Sequence, residues 1–259
     1  MPILRTISAP ARNIADLLFP PTCWADPHAL ESHAGLSEAS RLAIARLAAQ
    51  SYCHRCGLTT GPFAANNKSH PCARCPERLA GITRTARVGT FSDPLVTLIH
   101  RLKFARNWEI AAILAPFLHH AITTVAEESH TSIDCLIPIP LHWWRKARRG
   151  FNQAEEIAGE TAKLSGWKIQ RPLKRIRGTS PQARITAPTV RAENVKGAFI
   201  CRSDSSLAGK HIWLIDDVTT TGATIHAAAL AIRKLPRELR PASINAAVIC
   251  VTDHASPPP

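Results

Sequence analysis

From residue 87 onward, short apolar runs alternate with stretches in which apolar residues recur at helical spacing. Leu95, Leu98, Ile99 and Leu102, for example, share one face of a helix predicted over 94–103. Such an alternation is typical of an α/β protein with a mostly parallel, doubly wound sheet. The predicted strands cover 87–91, 133–137, 197–201, 211–215 and 244–251. The predicted helices cover 94–103, 109–125, 152–164 and 223–235.

Proline and glycine mark the ends and breaks of these elements. Pro116 is a candidate kink in the helix over 109–125, and Gly166 is placed to end the helix over 152–164. The stretch 171–194 has little periodicity and is rich in arginine, threonine and proline, so we expect a long exposed excursion there.

The first 85 residues differ from the rest in cysteine content and in apolar periodicity. They contain five of the eight cysteines and one short helical pattern, over 36–49. That is too little continuous apolar periodicity for an independent hydrophobic core. We therefore expect a small cysteine-rich region over 1–85 and an α/β domain over 86–255.

An acid pair and a threonine–glycine segment follow the apolar strand predicted over 211–215. Asp216 and Asp217 come first, and the helix predicted from about 223 comes last. Unpaired amides at a helix N-terminus, together with the helix dipole, favour a bound phosphate. A glycine lets the backbone approach that anion closely, and threonine hydroxyls add donors. The predicted phosphate-binding residues are Thr219, Thr220, Thr221, Gly222, Ala223 and Thr224.

Two carboxylates beside a phosphate site need a separate purpose, because they repel an anion. Asp216 and Asp217 can accept hydrogen bonds from vicinal sugar hydroxyls or help to hold a divalent cation. A ribose phosphate satisfies both halves of the pattern. The alternative is an ordinary strand–turn–helix with Asp217 or a threonine as the N-cap. The combined pattern favours a ligand, since open α/β sheets bind ligands at the carboxyl ends of their strands. No Walker-type sequence is present.

Net charge adds a preference for a polyanionic partner. The chain carries a formal charge of +13, and residues 139–196 hold 13 Lys/Arg against 4 Asp/Glu, a net of +9. A phosphorylated metabolite, a nucleic acid or a merely solvated basic face would each fit. No apolar run approaches the roughly 18 residues of a membrane span, and residues 1–20 lack the apolar region of a secretory signal. We therefore expect a cytoplasmic protein without a membrane span.

Cysteine spacing predicts a metal site. Cys53, Cys56, Cys72 and Cys75 form a C-x₂-C-x₁₅-C-x₂-C pattern, which offers four thiolates for one structural Zn²⁺. Two matched pairs are unlike free core cysteines, and neither pair follows a strand as a redox motif would. The remaining cysteines downstream lie in apolar runs and are expected to be buried packing residues. They are Cys135, Cys201 and Cys250.

Residues 212–224 resemble the thirteen-residue signature of type I phosphoribosyltransferases, which bind phosphoribosyl pyrophosphate (PRPP). Two further stretches resemble the ComF/GntX family of competence-associated, phosphoribosyltransferase-like proteins, whose N-terminal region is a zinc ribbon. The first stretch consists of Pro138, Ile139, Pro140, Arg145, Arg149, Gly150, Phe151, Asn152 and Gln153. The second consists of Gln182, Arg191, Asn194 and Phe199. The resemblance covers roughly residues 10–252.

This resemblance implies a type I phosphoribosyltransferase-like fold and a role for each motif. Asp216 and Asp217 would hold the ribose hydroxyls, and residues 219–224 would wrap the 5′-phosphate. Arg145 and Arg149 would neutralise the departing pyrophosphate together with Mg²⁺. Residues 171–194 would form a lid over PRPP.

Some residues in the basic stretch stay open to two interpretations. Lys146 and Arg148 are either solvated or directed toward nucleic acid, and Trp143 and Trp144 either stack on a ligand or pack in the core. Two functions follow. One is Mg²⁺-dependent phosphoribosyl transfer from PRPP to an unidentified acceptor, linked to DNA uptake. The alternative is a non-catalytic protein that senses PRPP or nucleotide and binds single-stranded DNA within the uptake machinery.

The chain departs from the family at an upstream cysteine set. Cys23 stands alone, with Asp26 in place of its partner, and Ser37 and Ser40 keep the spacing of a second pair. One thiolate, one carboxylate and two hydroxyls are a poor donor set for zinc. We therefore expect a partly degenerate double zinc ribbon that holds one metal ion.

Overall fold

A computed structural model describes residues 23–25, 35–61, 72–73, 75, 79, 81–104, 107–144, 147, 150–178, 195–203 and 207–253. Seven strands lie within these ranges. They are β1 (Thr85–Thr90), β2 (Cys135–Pro138), β3 (Lys168–Ile169), β4 (Leu173–Arg175), β5 (Phe199–Cys201), β6 (His211–Thr219) and β7 (Ser243–Val251).

The main sheet has five strands in the order β1-β7-β6-β2-β3, and every neighbouring pair is parallel. The predicted α/β class with a mostly parallel sheet is therefore confirmed. β4 and β5 pair antiparallel in a separate two-stranded sheet, so the strand predicted over 197–201 lies outside the main sheet.

Within the described residues, five α-helices of ten or more residues accompany the strands, and a short 3₁₀ turn covers Arg237–Leu239. Each helix lies close to its predicted position, with ends that follow local chemistry. Ser37 begins the first helix by accepting a hydrogen bond from the Ser40 amide at 3.2 Å, and Gly166 ends the fourth in a left-handed conformation. The helices are α1 (Glu38–Ala48), α2 (Leu95–Phe104), α3 (Glu109–Glu128), α4 (Gln153–Ser165) and α5 (Ala223–Arg233).

The helices cover both faces of the sheet, which produces two hydrophobic clusters. Alternate residues of β6 belong to different clusters: Trp213 and Ile215 pack with α1 to α4, while Ile212 and Leu214 pack with α5. A central strand that is buried on both faces is expected to be apolar, as β6 is from Ile212 to Ile215. The pattern confirms the double winding of the sheet.

Helix α3 is long and apolar enough to cross a membrane by length and composition, unlike the sequence-based expectation. Half of its most apolar window is buried, and its inner face packs in the core through residues such as Leu114, Leu118 and Ile122. Pro116 lies on the exposed face and does not interrupt the helix. In this structure α3 is therefore a core helix.

Two further differences concern strand lengths. β3 and β4 were not predicted, since each has only two or three residues and contains a lysine. β6 continues to Thr219 and so runs through Asp216 and Asp217, instead of stopping before them. The reason is its ladder with β7, in which Asp216 lies beside Val248 and Thr219 beside Val251.

Candidate functional site

The predicted strand–loop–helix is present at the carboxyl edge of the central strand β6. Gly222 is the residue before α5 and has a φ of 72°, a left-handed conformation that favours glycine. Thr219 and Thr221 are each only 7% exposed, which fixes the backbone on either side of Thr220. The first amides of α5 have no partner within the helix and therefore offer donors to an anion at this edge.

Asp216 and Asp217 differ in their surroundings although they are neighbours in sequence. The Asp217 amide donates a hydrogen bond to Asp216 Oδ1 at 2.9 Å. Burial, and next the charge of Asp217, raise the pKa of Asp216 to about 8. Asp216 is therefore largely protonated at neutral pH, and it can donate as well as accept hydrogen bonds.

Asp217 forms an ion pair with Lys103 at the end of α2, and both side chains are mostly buried, at 13% and 20% exposed. The raised pKa of Asp216 and the ion pair of Asp217 thus both reduce the repulsion between the two carboxyl groups. Lys103 was not among the predicted site residues, since α2 follows a different strand and helical periodicity carries no information on what a basic residue in the last turn contacts.

Two buried thiols lie in the sheet, Cys250 near this edge and Cys135 at the opposite, amino edge. Cys250 is opposite Val218 in the ladder, and burial, followed by the charge of Asp217, raises its pKa. Burial also raises the pKa of Cys135 to about 11. Both are fully buried packing residues, as predicted. Cys201, in the small antiparallel sheet, is only partly buried but packs against the second hydrophobic cluster, so the prediction holds in part for that residue.

The second predicted anion site falls largely outside the described residues. Arg145, Lys146, Arg148 and Arg149 are outside the described residues, and so is the stretch 179–194 of the predicted lid. The ends of the intervening segment are described. The Asn152 side chain, 6% exposed, donates from Nδ2 to the carbonyl of Ile139 at 3.1 Å. This hydrogen bond ties the start of α4 to the end of β2, which explains the need for asparagine at that motif position.

Trp143 and Trp144 are exposed, at 68% and 60%, so the interpretation as core packing is wrong. Trp108 is 59% exposed and precedes α3, a few residues after Lys103, and Phe91 follows directly on β1. Among the described residues, the exposed large aromatic side chains all lie in segments near the carboxyl edge of the sheet. Such a set offers faces on which planar rings can stack.

The four cysteines come together as predicted. The sulfur atoms of Cys53, Cys56, Cys72 and Cys75 all lie within 4.8 Å of one another, and Cys56 and Cys72 are 3.6 Å apart. Tetrahedral zinc needs sulfur atoms about 3.7 Å apart, given Zn–S bonds of about 2.3 Å. The hydrogen bond between Cys53 and Cys56 lowers the pKa of Cys53, which favours a thiolate there, and raises the pKa of Cys56. The donor set therefore fits one zinc ion.

The first cysteine pair is fastened to the sheet by a buried arginine. Arg87 in β1 is 2% exposed and donates to the Gly57 carbonyl at 2.7 Å and to Thr59 Oγ1 at 2.9 Å. Its guanidinium also lies 4.8 Å from the centre of the Tyr52 ring. Thr85 adds two hydrogen bonds to the carbonyls of His54 and Arg55. The cysteine centre and the sheet are thus joined through β1.

Cys23, Ser37 and Ser40, which occupy the positions of the family's upstream cysteine set, lie close together. The Ser37 amide donates to Cys23 Sγ at 3.1 Å, and Ser37 Oγ donates to Ser40 Oγ at 2.9 Å. Cys23 Sγ lies 3.9 Å from Ser40 Oγ and is fully buried, while Asp26 lies outside the described residues. Hydrogen bonds at the start of α1 therefore connect residues that keep the spacing of metal ligands.

Comparison with known proteins gives relatives that cover most of the chain. The DNA utilization protein YhgH of Salmonella typhi is 34% identical over 214 residues, which are 81% of this chain and 89% of that protein. Competence protein F of Haemophilus influenzae is 30% identical over 190 residues, or 71% of this chain and 79% of that protein. Competence protein ComFC of Bacillus subtilis is 27% identical over 68% of this chain and 70% of that protein. No family model matches the chain.

Proposed function

The chain belongs to the ComF family, and from this premise we propose that it binds PRPP or a related sugar phosphate at the carboxyl edge of β6, in a role linked to the handling of DNA taken up by the cell. The observation that carries the proposal is the acid pair Asp216–Asp217, which is followed directly by the left-handed Gly222 and the N-terminus of α5. The names of the relatives support the link to competence and DNA utilization.

Each part of the site has a proposed task. Residues 219–224 hold the 5′-phosphate through backbone amides and threonine hydroxyls. Asp217, ionised beside Lys103, accepts from one ribose hydroxyl. Asp216 donates or accepts at the other hydroxyl, according to its protonation state. Such a division suits a vicinal diol, in which each oxygen is both a donor and an acceptor.

Arg145 and Arg149 are proposed to contact the pyrophosphate, together with Mg²⁺. Support comes from the segment's ends, which Asn152 and Ile139 hold together beside β2, a direct neighbour of β6 in the sheet. Arginine presents a planar set of donors that matches phosphate oxygens. In the reaction, these cations would stabilise the charge on departing pyrophosphate while the acid pair keeps the ribose in position. Mg²⁺ would add further positive charge at the pyrophosphate.

We also propose the fold family and the domain division. The parallel sheet with helices on both faces is compatible with a type I phosphoribosyltransferase fold over 86–255, with a zinc ribbon within 1–85. The activity proposed is Mg²⁺-dependent phosphoribosyl transfer to an acceptor that the chain's own residues do not specify.

A second candidate function rests on the exposed aromatic side chains. Trp143 and Trp144 precede the basic residues 145–149, and Trp108 and Phe91 lie in segments near the same edge. Interleaved aromatic and basic residues suit single-stranded nucleic acid, because bases stack on the rings while the cations contact phosphates. In this alternative the protein senses PRPP or a nucleotide and binds single-stranded DNA without turnover.

Isothermal calorimetry with PRPP and Mg²⁺ tests the principal proposal. We expect the wild type to bind and the double variant Asp216→Asn/Asp217→Asn to lose at least about tenfold in affinity, since the charge-assisted hydrogen bond to Asp217 and the second hydrogen bond to Asp216 are both weakened. Glu127 is an exposed acid near the C-terminus of α3. The variant Glu127→Gln is therefore the control for removal of a charge and should bind PRPP like the wild type. Equal affinity in the wild type and the double variant would refute the sugar-phosphate site.

Two further assays separate the enzyme from the sensor. Release of pyrophosphate in the presence of a panel of bases and amines identifies turnover, and PRPP binding without release indicates the sensor. Binding of a single-stranded oligonucleotide at several salt concentrations tests contact with DNA, using Trp143→Ala/Trp144→Ala beside the wild type. A loss of affinity in the variant and a clear slope against log salt support DNA binding.

A further inference from the structure

The backbone of Gly222 is covered by the side chain of Leu79. A Cβ atom built on Gly222 would lie 2.9 Å from Leu79 Cδ2 and 3.2 Å from Cδ1, so the two are already in close contact. Leu79 is only 4% exposed. Gly222 is the point at which the chain turns from β6 into α5 with a left-handed φ. Leu79 therefore packs directly on the turn that aims the amides of the 219–224 segment.

Leu79 belongs to the second cysteine arm, which we define as the described residues from Cys72 to Ile82. It shares a hydrophobic cluster with Cys53 and Cys56 of the first pair and with Ile225, Ala229 and Ile232 of α5. The same cluster therefore includes residues of the metal centre and the buried face of the helix that begins at the proposed phosphate site.

The two ends of the arm are held differently. Beyond Leu79, the Gly81 carbonyl accepts from Arg233 Nη2 at 3.0 Å, and the Thr83 amide donates to the Ile244 carbonyl at 2.8 Å. At the other end, Cys72 Sγ lies 3.6 Å from Cys56 Sγ. A sulfur–sulfur hydrogen bond is weak, whereas four bonds to one zinc ion would hold the first cysteine pair and the second cysteine arm rigidly together. A bound zinc ion would therefore determine how firmly the cysteine end of the arm is held.

We propose that Leu79 is a positioning residue through which the four-cysteine centre sets the conformation of the 219–224 segment, so that zinc and a sugar phosphate bind with positive coupling. The proposal rests on the proposed function for the identity of the anion, while the coupling itself concerns the contact between Leu79 and Gly222. Because coupling between two sites is reciprocal, the anion must tighten zinc binding by the same factor by which zinc tightens anion binding.

The first test measures the 219–224 segment without any ligand. Amide hydrogen exchange is compared between zinc-loaded wild type, Leu79→Ala, Leu79→Met and Leu42→Ala. Leu42 is 53% exposed in α1 and controls for the loss of a leucine side chain. We expect faster exchange in Leu79→Ala alone, with Leu79→Met restoring protection because it conserves volume. Unchanged exchange in Leu79→Ala, at one zinc per chain, would overturn the proposal.

The second test measures the coupling. Zinc affinity is determined by competition with a chromophoric chelator, with and without PRPP and Mg²⁺, in the wild type and in Leu79→Ala. We expect PRPP to raise the zinc affinity of the wild type at least about fivefold and to leave that of Leu79→Ala unchanged. An equal effect of PRPP in both proteins would overturn the role of Leu79. If zinc-loaded wild type fails to bind PRPP, the proposed function fails, and the exchange experiment still decides whether Leu79 sets the conformation of the 219–224 segment.

Discussion

Lys103 in the last turn of α2 forms an ion pair with Asp217 in β6, so a helix that follows the first strand of the sheet supplies the counter-ion for an acid on the central strand. With a raised pKa at Asp216, this pair leaves the two neighbouring carboxylates with little net repulsion at neutral pH. In the proposed function, this reduced repulsion suits the binding of a neutral diol.

Lys103→Met should lower the free energy of unfolding by about 1–3 kcal/mol, because Asp217 would keep its partly buried charge without a partner. Urea denaturation measures the change. Lys163 pairs with Glu160 on the surface of α4, and Lys163→Met is the matched control, with an expected cost of no more than about 0.5 kcal/mol. Equal costs for the two variants would show that the Lys103–Asp217 pair has no special weight.

Asp216→Asn should flatten the pH dependence of stability. The pKa of Asp216 is raised from 3.8 to about 8 in the folded protein, which therefore holds a proton that the unfolded chain releases between those values. In that window this group makes the free energy of unfolding fall as pH rises, by at most about 1.4 kcal/mol per pH unit. Asparagine removes this contribution, so the stability of the variant relative to that of the wild type increases as pH rises.

Urea denaturation at about pH 5 and pH 8 measures that gain, with Glu127→Gln as the control for a changed charge. If the free energies of unfolding of Asp216→Asn and the wild type differ by the same amount at both pH values, the pKa of Asp216 in the folded protein is not raised.

Arg87→Met should lower the free energy of unfolding by about 2–4 kcal/mol and accelerate zinc release to a chelator. The variant leaves the Gly57 carbonyl and the Thr59 hydroxyl without a buried donor. Arg171 pairs with Glu155 on the surface, and Arg171→Met serves as the comparison. An Arg87→Met protein with wild-type stability and zinc release would mean that the first cysteine pair does not depend on β1.

Metal analysis should find one zinc ion per chain. Cys53→Ser or Cys72→Ser removes one of four thiolates and should abolish the bound zinc, whereas Cys23→Ser should keep it, because Cys23 is hydrogen-bonded to Ser37 instead. Mass spectrometry of the intact protein under native conditions measures the stoichiometry. A second zinc that disappears with Cys23→Ser would show that the upstream positions still bind metal.

Apolar periodicity predicted the order of the elements, because burial of alternate or helically spaced residues decides most of this fold. It failed where pairing overrides local composition. The acids at 216 and 217 look like the end of a strand, but the neighbouring strand β7 continues the ladder to Thr219. It also failed for β3 and β4, which are too short to show a period and contain Lys168 and Lys174.

In the candidate site, too, local sequence patterns were predictable and contacts between distant segments were not. The acid pair, the glycine and the four cysteines are local patterns, and residue type and spacing sufficed to find them. The contacts Lys103–Asp217 and Leu79–Gly222 join segments that are distant in sequence. No periodicity encodes such a pairing, because it depends on how the elements are arranged in three dimensions.

The position of β7 between β1 and β6 has a consequence for protein synthesis. Among the described strands, β1 pairs with β7 alone and β6 pairs with β7 as well as with β2, yet the ribosome makes β7 after the other described strands. The cysteine centre, which is fastened to β1, therefore emerges long before the sheet that supports it can close. We expect the nascent chain to expose the apolar faces of β1 and β6 until residue 251 has left the exit tunnel, and to depend on chaperones during that interval.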